Sequence, residues 1–134
     1  MTEIFRIARE ATLEPVYFGT MRWLSQPAST GGKQITSAEA AIVPGQAHPF
    51  HCHPEQEEII YVLSGKLEQW VEQEKRILGP GDVIFLPKGV VHASYNVGDE
   101  DVRLFVVFSP SVGESGFSTI EVADQAPWSG LRAS

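Results

Sequence analysis

Residues 45–65 read GQAHPFHCHPEQEEIIYVLSG, and this stretch holds three of the four histidines of the chain together with its densest cluster of acidic residues. Residues 81–96, GDVIFLPKGVVHASYN, contain the fourth histidine in a frame of proline and glycine. Imidazole and carboxylate groups are common ligands of transition metals in proteins. The two stretches therefore predict that His51, His53, a glutamate and His92 converge on one metal ion.

The spacing of His51 and His53 is that of two residues on one face of a β-strand. Side chains alternate between the faces of a strand, so both histidines point the same way, about 7 Å apart at the backbone, and Cys52 points to the other face. Three neutral imidazoles and one carboxylate suit Fe(II), Mn(II), Ni(II), Cu(II) or Zn(II), and are a poor set for calcium or magnesium. On an octahedral ion, four protein ligands leave positions open for substrate, water or dioxygen.

Short β-rich runs separated by turn signals predict an antiparallel sandwich or barrel. Turns are expected at Pro44-Gly45, at Ser64-Gly65 and around residues 79–82 and 87–89. We also expect strands over residues 16–24, with a bend at the glycine, and over residues 34–43, where the Pro-Gly turn that follows outweighs the helix-favouring alanines. No amphipathic helix of three turns is predicted.

The length of 134 residues fits one domain with a single core. Within residues 1–134 we expect three parts: N-terminal strands or an arm over residues 1–34, the barrel with both stretches over residues 35–108, and a C-terminal segment over residues 109–134. That last segment is too apolar for a free tail and should pack along the barrel. Residues 2–8 are interpreted as an edge strand or an N-terminal arm, with a strand exchanged between subunits as a further interpretation.

Charge and composition exclude several classes of function. A formal net charge of −7 provides no basic footprint for nucleic acid and disfavours anionic membrane surfaces.

The first ten residues carry both acidic and basic side chains and no apolar signal segment, and the chain has no run of about 18 apolar residues. The single cysteine, Cys52, excludes an intrachain disulfide. We expect a cytoplasmic protein.

The two stretches resemble the paired motifs of a small single-domain cupin. The first motif of that family runs Gly, five residues, His-x-His, three or four residues, Glu, six residues, Gly, and it is filled here by Gly45, His51, His53, Glu58 and Gly65. The second runs Gly, five residues, Pro-x-Gly, two residues, His, three residues, Asn, and it is filled by Gly81, Pro87, Gly89, His92 and Asn96. The resemblance implies an all-β, double-stranded β-helix or jelly-roll barrel, one divalent transition metal ion held by His51, His53, Glu58 and His92, and often a homodimer.

The identity of the carboxylate is open between neighbouring glutamates. Six residues separate Glu58 from Gly65, as the motif requires, whereas Glu57 fits the shorter gap after His53 and leaves seven residues before the glycine. We favour Glu58. His48 lies outside the motif and on the opposite strand parity from His51, which predicts a surface or loop histidine.

Strand parity with Glu58 and His92 also predicts the wall of the pocket. Ile60, Val62 and Ser94 share that parity. Further candidates for neighbours of the pocket are Phe50, Tyr61, Trp70, Phe85 and Arg103.

Two further roles are open for single residues. Arg103 interrupts the apolar strand VRLFVVF, and it either clamps a substrate carboxylate or is an exposed strand arginine. Tyr61 and Tyr95 are candidates for a general acid or base. Asn96 is interpreted as a hydrogen-bonding residue at a strand end or turn, and Cys52 as a small buried hydrophobic residue.

Three functions compete for this pattern. The favoured one, drawn from the resemblance to cupins with three histidines and one glutamate, is a metal-dependent dioxygenase acting on a small organic molecule. Cupin isomerases, lyases and decarboxylases use the same ligands, so the ligand set does not choose among them. The alternative is a non-enzymatic module that binds a sugar or another metabolite. A transcription factor is disfavoured, because the chain has no DNA-binding segment and is acidic.

Overall fold

The computed structural model describes residues 2–132, and within them eleven β-strands account for nearly all of the regular structure. The strands are β1 (Thr12–Val16), β2 (Gly19–Ser25), β3 (Thr36–Ile42), β4 (Ala47–Cys52), β5 (Glu57–Ser64), β6 (Leu67–Val71), β7 (Glu74–Leu78), β8 (Val83–Leu86), β9 (His92–Asn96), β10 (Val102–Ser109) and β11 (Ile120–Glu121). One helical turn, α1 (Pro27–Thr30), and two 3-10 turns (Ala8–Glu10 and Trp128–Gly130) complete the list.

The strands form two antiparallel sheets. The larger sheet has the order β1-β2-β3-β10-β5-β8, and the smaller has the order β11-β4-β9-β6-β7. Sequence neighbours are repeatedly separated by strands from elsewhere in the chain, as in a jelly roll. The prediction of an all-β jelly-roll barrel is confirmed.

Alternating apolar residues on the larger sheet build the main core. In β10, Val102, Leu104, Val106 and Phe108 are buried while the residues between them are exposed or half-buried, and β3 shows the same alternation. Side chains of a strand point alternately to its two faces, so this period-two pattern places one face of the sheet inside the barrel. The same inner face carries Ile60, and the strand ends next to it hold the site described below.

The C-terminal segment covers the outer face of the smaller sheet. Phe50 and Trp70 pack there with Val122, and half-buried Trp128 lies against this cluster. Arg132 forms an ion pair with Glu68 of β6 and lies over the ring of Tyr95, 3.9 Å from its centroid. Strand β6 is therefore buried on both faces, which explains its run of four consecutive buried residues.

The N-terminal region differs from the sequence prediction. We expected one bent strand over residues 16–24, but Tyr17 and Phe18 form a tight turn between β1 and β2, which pair as a hairpin with Val16 opposite Gly19. The expected strand over residues 34–43 is present as β3. Residues 2–8 contain no strand, and Phe5 is 88% exposed. In the described part of the chain, no helix is long and apolar enough to cross a membrane.

Asn96, 5% exposed, ties the end of β9 to its surroundings through three hydrogen bonds. Its side-chain amide donates to the carbonyl oxygens of Ile42 and Glu100, both at 2.8 Å, and its side-chain oxygen accepts from the backbone N–H of Gly98 at 2.9 Å. This agrees with the interpretation of Asn96 as a strand-end hydrogen-bonding residue.

We expect Asn96→Ala to lower the free energy of unfolding by about 3 kcal/mol, because the truncation leaves buried backbone groups without partners. Urea denaturation followed by circular dichroism measures the change. Gln73→Ala, at an exposed turn position, serves as the control and should change stability by less than about 0.5 kcal/mol. A loss below about 1 kcal/mol for Asn96→Ala would contradict the structural role of this side chain.

Candidate metal centre

Three buried histidines meet at one end of the barrel. His51 near the end of β4 lies directly opposite His92 at the start of β9, and His53 follows β4 by one residue. Their ring centroids are 4.2 to 5.2 Å apart, and one nitrogen from each ring lies within 4.8 Å of the others. The two parts of the sequence that predicted this cluster are therefore brought together by the β4–β9 pairing.

The second nitrogen of each ring is held by a backbone carbonyl. Nδ1 of His51 lies 2.6 Å from the oxygen of Pro49, and Nδ1 of His92 lies 3.0 Å from that of Val90. Nδ1 of His53 lies 2.8 Å from the oxygen of Ser118. A carbonyl only accepts, so each Nδ1 carries the proton and donates it. This fixes the tautomer in which Nε2 presents a lone pair, the form that binds metal ions.

Glu58 completes the cluster from β5. Its Oε1 lies 3.3 Å from Nε2 of His53 and 3.2 Å from Nε2 of His92, yet this buried oxygen has no hydrogen-bond partner among the described residues. Lone pairs of a carboxylate and of neutral imidazoles repel one another, so a proton or a metal ion must lie between them. An unpartnered buried carboxylate is costly, and one divalent ion satisfies all of these groups at once.

The electrostatics of the cluster keep its carboxylate anionic. Burial, followed by the neighbouring histidines His92, His48 and His53, keeps the pKa of His51 well below its usual range, so a cluster of imidazolium ions is disfavoured. Burial acts to raise the pKa of Glu58, but protons on the facing Nε2 atoms of His53 and His92 would donate to its Oε1 and, with their positive charge, lower that pKa to about 2. The cluster thus combines an anionic oxygen with three imidazole nitrogens, a set that fits a divalent transition metal.

The neighbouring glutamates lie elsewhere. Glu57 is exposed on the opposite face of β5, and Glu55 is exposed in the preceding turn, where it accepts a hydrogen bond from the hydroxyl of Ser118 at 3.4 Å. Of the three glutamates, only Glu58 faces the histidines, because strand alternation turns adjacent side chains to opposite sides of the sheet.

We expect Glu58→Gln to lower the metal content of the purified protein at least about tenfold, because a neutral amide is a much weaker ligand and brings no charge. Glu57→Gln should leave the metal content unchanged. Elemental mass spectrometry on tag-free protein, purified without chelator, compares the two variants with the wild type. Metal loss in Glu57→Gln together with retention in Glu58→Gln would show that the wrong carboxylate has been assigned.

The histidine cluster opens into a cavity of about 380 Å³. Of the residues predicted to form its wall, Ile60 and Ser94 line it. Val62 shares their parity but lies deeper in the core, fully buried, and does not reach the cavity. Strand parity therefore identifies the face on which a side chain lies, but not whether that side chain reaches the cavity or lies deeper in the core.

The other predicted wall residues lie outside the cavity. Tyr61 and Phe85, 41% and 57% exposed, are on the outer face of the larger sheet, and Arg103 on the same face forms an ion pair with Glu39. Phe50 and Trp70 are buried beneath the C-terminal segment, beside Tyr95. The predictions for these residues are wrong because each has the opposite parity from the cluster. For the same reason, Arg103 does not clamp a substrate in the cavity, and Tyr61 and Tyr95 are not placed to act there as an acid or base.

The prediction that His48 is a surface or loop histidine, which also relied on strand parity, is wrong. A bulge in β4 shifts the register between His48, opposite Ser94, and His51, opposite His92. The extra residue reverses the side-chain parity. His48 therefore points into the cavity and stacks on His51, with centroids 3.5 Å apart and planes inclined by 6°. Its Nε2 lies 3.5 Å from Glu121, a second cavity residue that the sequence did not suggest.

Much of the cavity wall comes from outside the two motif stretches. Tyr17, Phe18 and Trp23 belong to the β1–β2 hairpin, and Phe117 belongs to the segment before β11. Their apolar character was visible in the sequence, but nothing in it indicated which end of the barrel they would reach.

The fold and site together define a small jelly-roll barrel with three histidines and one glutamate clustered at one end. A model of the cupin domain family matches residues 38–108, more than half of the chain. The chain belongs to the cupin family, as the sequence motifs predicted.

Known relatives and solved structures agree with this assignment. The chain is 33% identical to the polyketide synthase CurC of Streptomyces cyaneus, over 69% of this chain and 60% of that protein. It is 35% identical to a germin-like protein of Morus alba, over 61% of this chain and 42% of that protein, so it spans less than two-thirds of the length of these relatives. The structure of KdgF from Halomonas sp. superposes with a TM-score of 0.71 at 25% identity, covering 81% of this chain and 95% of that one.

Proposed function

We propose that the protein is a mononuclear metal-dependent enzyme acting on a small organic molecule. The observation that carries the proposal is the buried, unpartnered Oε1 of Glu58 beside unprotonated histidine nitrogens at the wall of a mainly apolar cavity. His51, His53, Glu58 and His92 would hold one ion of iron, manganese, nickel, copper or zinc. When bound, such an ion supplies a Lewis acid and open positions for substrate and for dioxygen or water.

The favoured reaction class is that of a dioxygenase. The residues around the cluster suit oxygen chemistry, because the rings of Phe108 and Phe117 pack edge-on against His53, at 4.9 and 5.8 Å between centroids, and keep that side of the site dry. The three carbonyl contacts to Nδ1 hold the imidazoles in fixed orientations. A dry, shaped pocket also limits side reactions with water.

Oxygen uptake by the iron-loaded protein tests the reaction class. A panel of catechols, flavonols, thiols and diketones is presented to the wild type and to Glu58→Gln loaded in the same way. Uptake that depends on one substrate class and is lost in the variant supports a dioxygenase. A flat response across the panel, with metal bound, excludes this class for those substrates and favours redox-neutral chemistry or simple binding.

A redox-neutral isomerase, lyase or decarboxylase is the second candidate. Such reactions need a polar group at the cavity besides the metal ligands. His48 and Glu121 form a pair there, 3.5 Å apart. Product formation from the same panel under anaerobic conditions would support this class, and ligand binding without any turnover would indicate the non-enzymatic module.

We also propose that the protein forms a homodimer through the outer face of its larger sheet. Exposed Ile59 and Tyr61 on β5 lie opposite exposed Phe85 and Val83 on β8, and half-buried Phe105 on β10 lies opposite Tyr61 from the other side. These apolar side chains form one patch, bordered by Glu57 and by the ion pair of Arg103 with Glu39, on a chain of net charge −7. A contiguous apolar patch of this kind is typical of subunit interfaces, and a second copy brings an identical patch to a two-fold interface.

We expect the double variant Tyr61→Glu, Phe85→Glu to be monomeric where the wild type is dimeric, because burying two carboxylates per subunit without partners outweighs the apolar contact. Sedimentation velocity over a range of protein concentrations measures the association. Ile77→Glu, an equally exposed apolar position on the smaller sheet, should remain dimeric. A monomeric wild type at all concentrations would refute the dimer.

A further inference from the structure

Two runs of stacked aromatic rings line the cavity, and each one ends on a histidine of the cluster. In the first run, Phe18 stacks on His48 with 5.3 Å between centroids, and His48 stacks on His51 at 3.5 Å. Phe18 is held by the tight turn of the β1–β2 hairpin, and His48 is turned inward by the bulge in β4.

The second run ends on His53. Trp23 stacks on Phe117 at 5.4 Å, Phe117 stacks on Phe108 at 4.9 Å, and Phe108 meets His53 edge-on at 4.9 Å. Three separate parts of the chain supply these rings: β2, β10 and the segment before β11. The aromatic lining therefore continues to two of the residues that would hold the metal.

Charge is distributed unevenly around this lining. The cavity is lined by no lysine or arginine among the described residues, and its carboxylates are Glu14, Glu58 and Glu121. Two of these carboxylates are not part of the histidine cluster, and each faces a group of the chain: Glu14 accepts from Nε1 of Trp23 at 2.9 Å, and Glu121 lies 3.5 Å from Nε2 of His48. Outside the histidine cluster, an anionic ligand would therefore meet only like charge, and a cationic ligand would find both acids engaged.

We propose that the cavity binds a neutral, planar aromatic molecule with an oxygen substituent, such as a hydroxyl group, that points toward the histidine cluster. This inference rests on the proposed function in taking the cavity as the substrate site. Aromatic rings attract other rings in offset-stacked and edge-on arrangements, which a saturated ring of the same size cannot reproduce. Taking an anion out of water beside carboxylates, without a cation to pair with, is strongly unfavourable. The volume of about 380 Å³ suits a molecule of one or two fused rings.

Four probes on one carbon skeleton separate charge from aromaticity: 2-naphthol, 2-naphthoate, 2-naphthylmethylammonium and decahydro-2-naphthol. Isothermal titration calorimetry is carried out on the protein as purified and after removal of metal with a chelator. The metal-free sample compares 2-naphthol with 2-naphthoate, because a bound ion would itself attract the carboxylate. The metal-loaded sample compares 2-naphthol with 2-naphthylmethylammonium, because Glu58 is without a partner once the metal is removed. We expect 2-naphthol to bind about tenfold more tightly than each of the other three probes.

Substitutions in the second aromatic run locate the binding. Trp23→Leu and Phe117→Leu should each weaken 2-naphthol binding at least about fivefold and leave decahydro-2-naphthol nearly unchanged, whereas Trp23→Phe should retain most of the affinity. Trp128→Leu is the matched control, because Trp128 packs on the outer face of the smaller sheet, away from the cavity. Phe117 is only half-buried, so its variant tests the inference even if Trp23→Leu does not fold.

The outcomes distinguish this inference from the proposed function. Equal or tighter binding of the anion, the cation or the saturated ring would overturn the assignment of a neutral aromatic ligand, and so would an equal loss in Trp128→Leu. Metal content, measured on the same purified samples, tests the metal centre separately. If the purified protein contains metal but shows no preference for 2-naphthol, the aromatic-ligand inference is refuted and the proposed metal centre stands. If it contains no metal but prefers 2-naphthol, the proposed metalloenzyme is refuted and the aromatic-ligand inference stands.

Discussion

The double variant His51→Ala, His53→Ala is expected to retain less than about 0.1 equivalent of transition metal, against about one equivalent in the wild type. Both histidines present an unprotonated nitrogen to the cluster, because a backbone carbonyl holds each Nδ1 proton. Loss of one outer contact to a metal ligand typically costs 10- to 100-fold in affinity. Removing two ligands leaves His92 and Glu58, which cannot retain an ion through purification.

Elemental mass spectrometry on tag-free protein purified without chelator gives the measurement, with anaerobic reconstitution as a second step. The control is His48→Ala, which also removes a cavity histidine but should retain about one equivalent. Loss of metal from His48→Ala with retention in His53→Ala would place the ion instead at the neighbouring group of His48, His51 and Glu121, whose donor atoms also lie within 4.8 Å of one another. No metal in the wild type, even after reconstitution, would leave the barrel as a binding module.

The metal-ligating candidates could be predicted from the sequence because local rules determine them. His-x-His in a strand places both side chains on one face, and the six-residue gap before Gly65 in the cupin motif selected Glu58, which shares the inner face of β5 with Ile60. The turns around both stretches carry glycine and proline where the chain reverses. Each of these signals acts over a few residues, so no knowledge of the tertiary structure was needed.

His48 could not be placed in this way, because its orientation depends on a bulge. The register shift between His48 and His51 arises from how β4 pairs with β9, a strand more than forty positions later in the chain. Pro49 lies between these two histidines, and strands accept proline mainly at edges and bulges, but the residue alone does not show that the parity reverses there. Because of this one bulge, His48, which we expected at the surface, lines the cavity wall instead.

The remaining wall was missed for a different reason. Tyr61, Phe85 and Arg103 were selected for chemical character and lie on the outer face, whereas Phe18, Trp23 and Phe117 come from segments outside the motifs. Which loops and hairpins close the end of a barrel is decided by long-range packing. The specificity of the site consequently lies in the part of the chain that the motifs do not cover.

A large effect on folding is expected from Gly65→Ala, in the turn between β5 and β6. Gly65 has φ of +91°, and a Cβ there would lie 2.8 Å from the carbonyl oxygen of Asp101 and 2.8 Å from both Cα and Cγ2 of Val102. Two of these atoms are backbone at the start of β10, in the middle of the larger sheet, and cannot move aside cheaply. We expect the free energy of unfolding to fall by about 4 kcal/mol from strain and displacement together.

Gly81→Ala separates the two causes, because Gly81 has nearly the same φ, +93°, and nothing within 4 Å of its Cβ position. This control carries the conformational strain alone and should lose only about 1 to 2 kcal/mol. Urea denaturation of both variants, followed by fluorescence, measures the difference. If the two variants lose equal stability, the close approach of the β5–β6 turn to β10 contributes nothing, and the motif glycine is required only for its backbone conformation. A larger loss in Gly65→Ala shows instead that this glycine is needed for the close packing of the β5–β6 turn against the strand that runs through the core of the barrel.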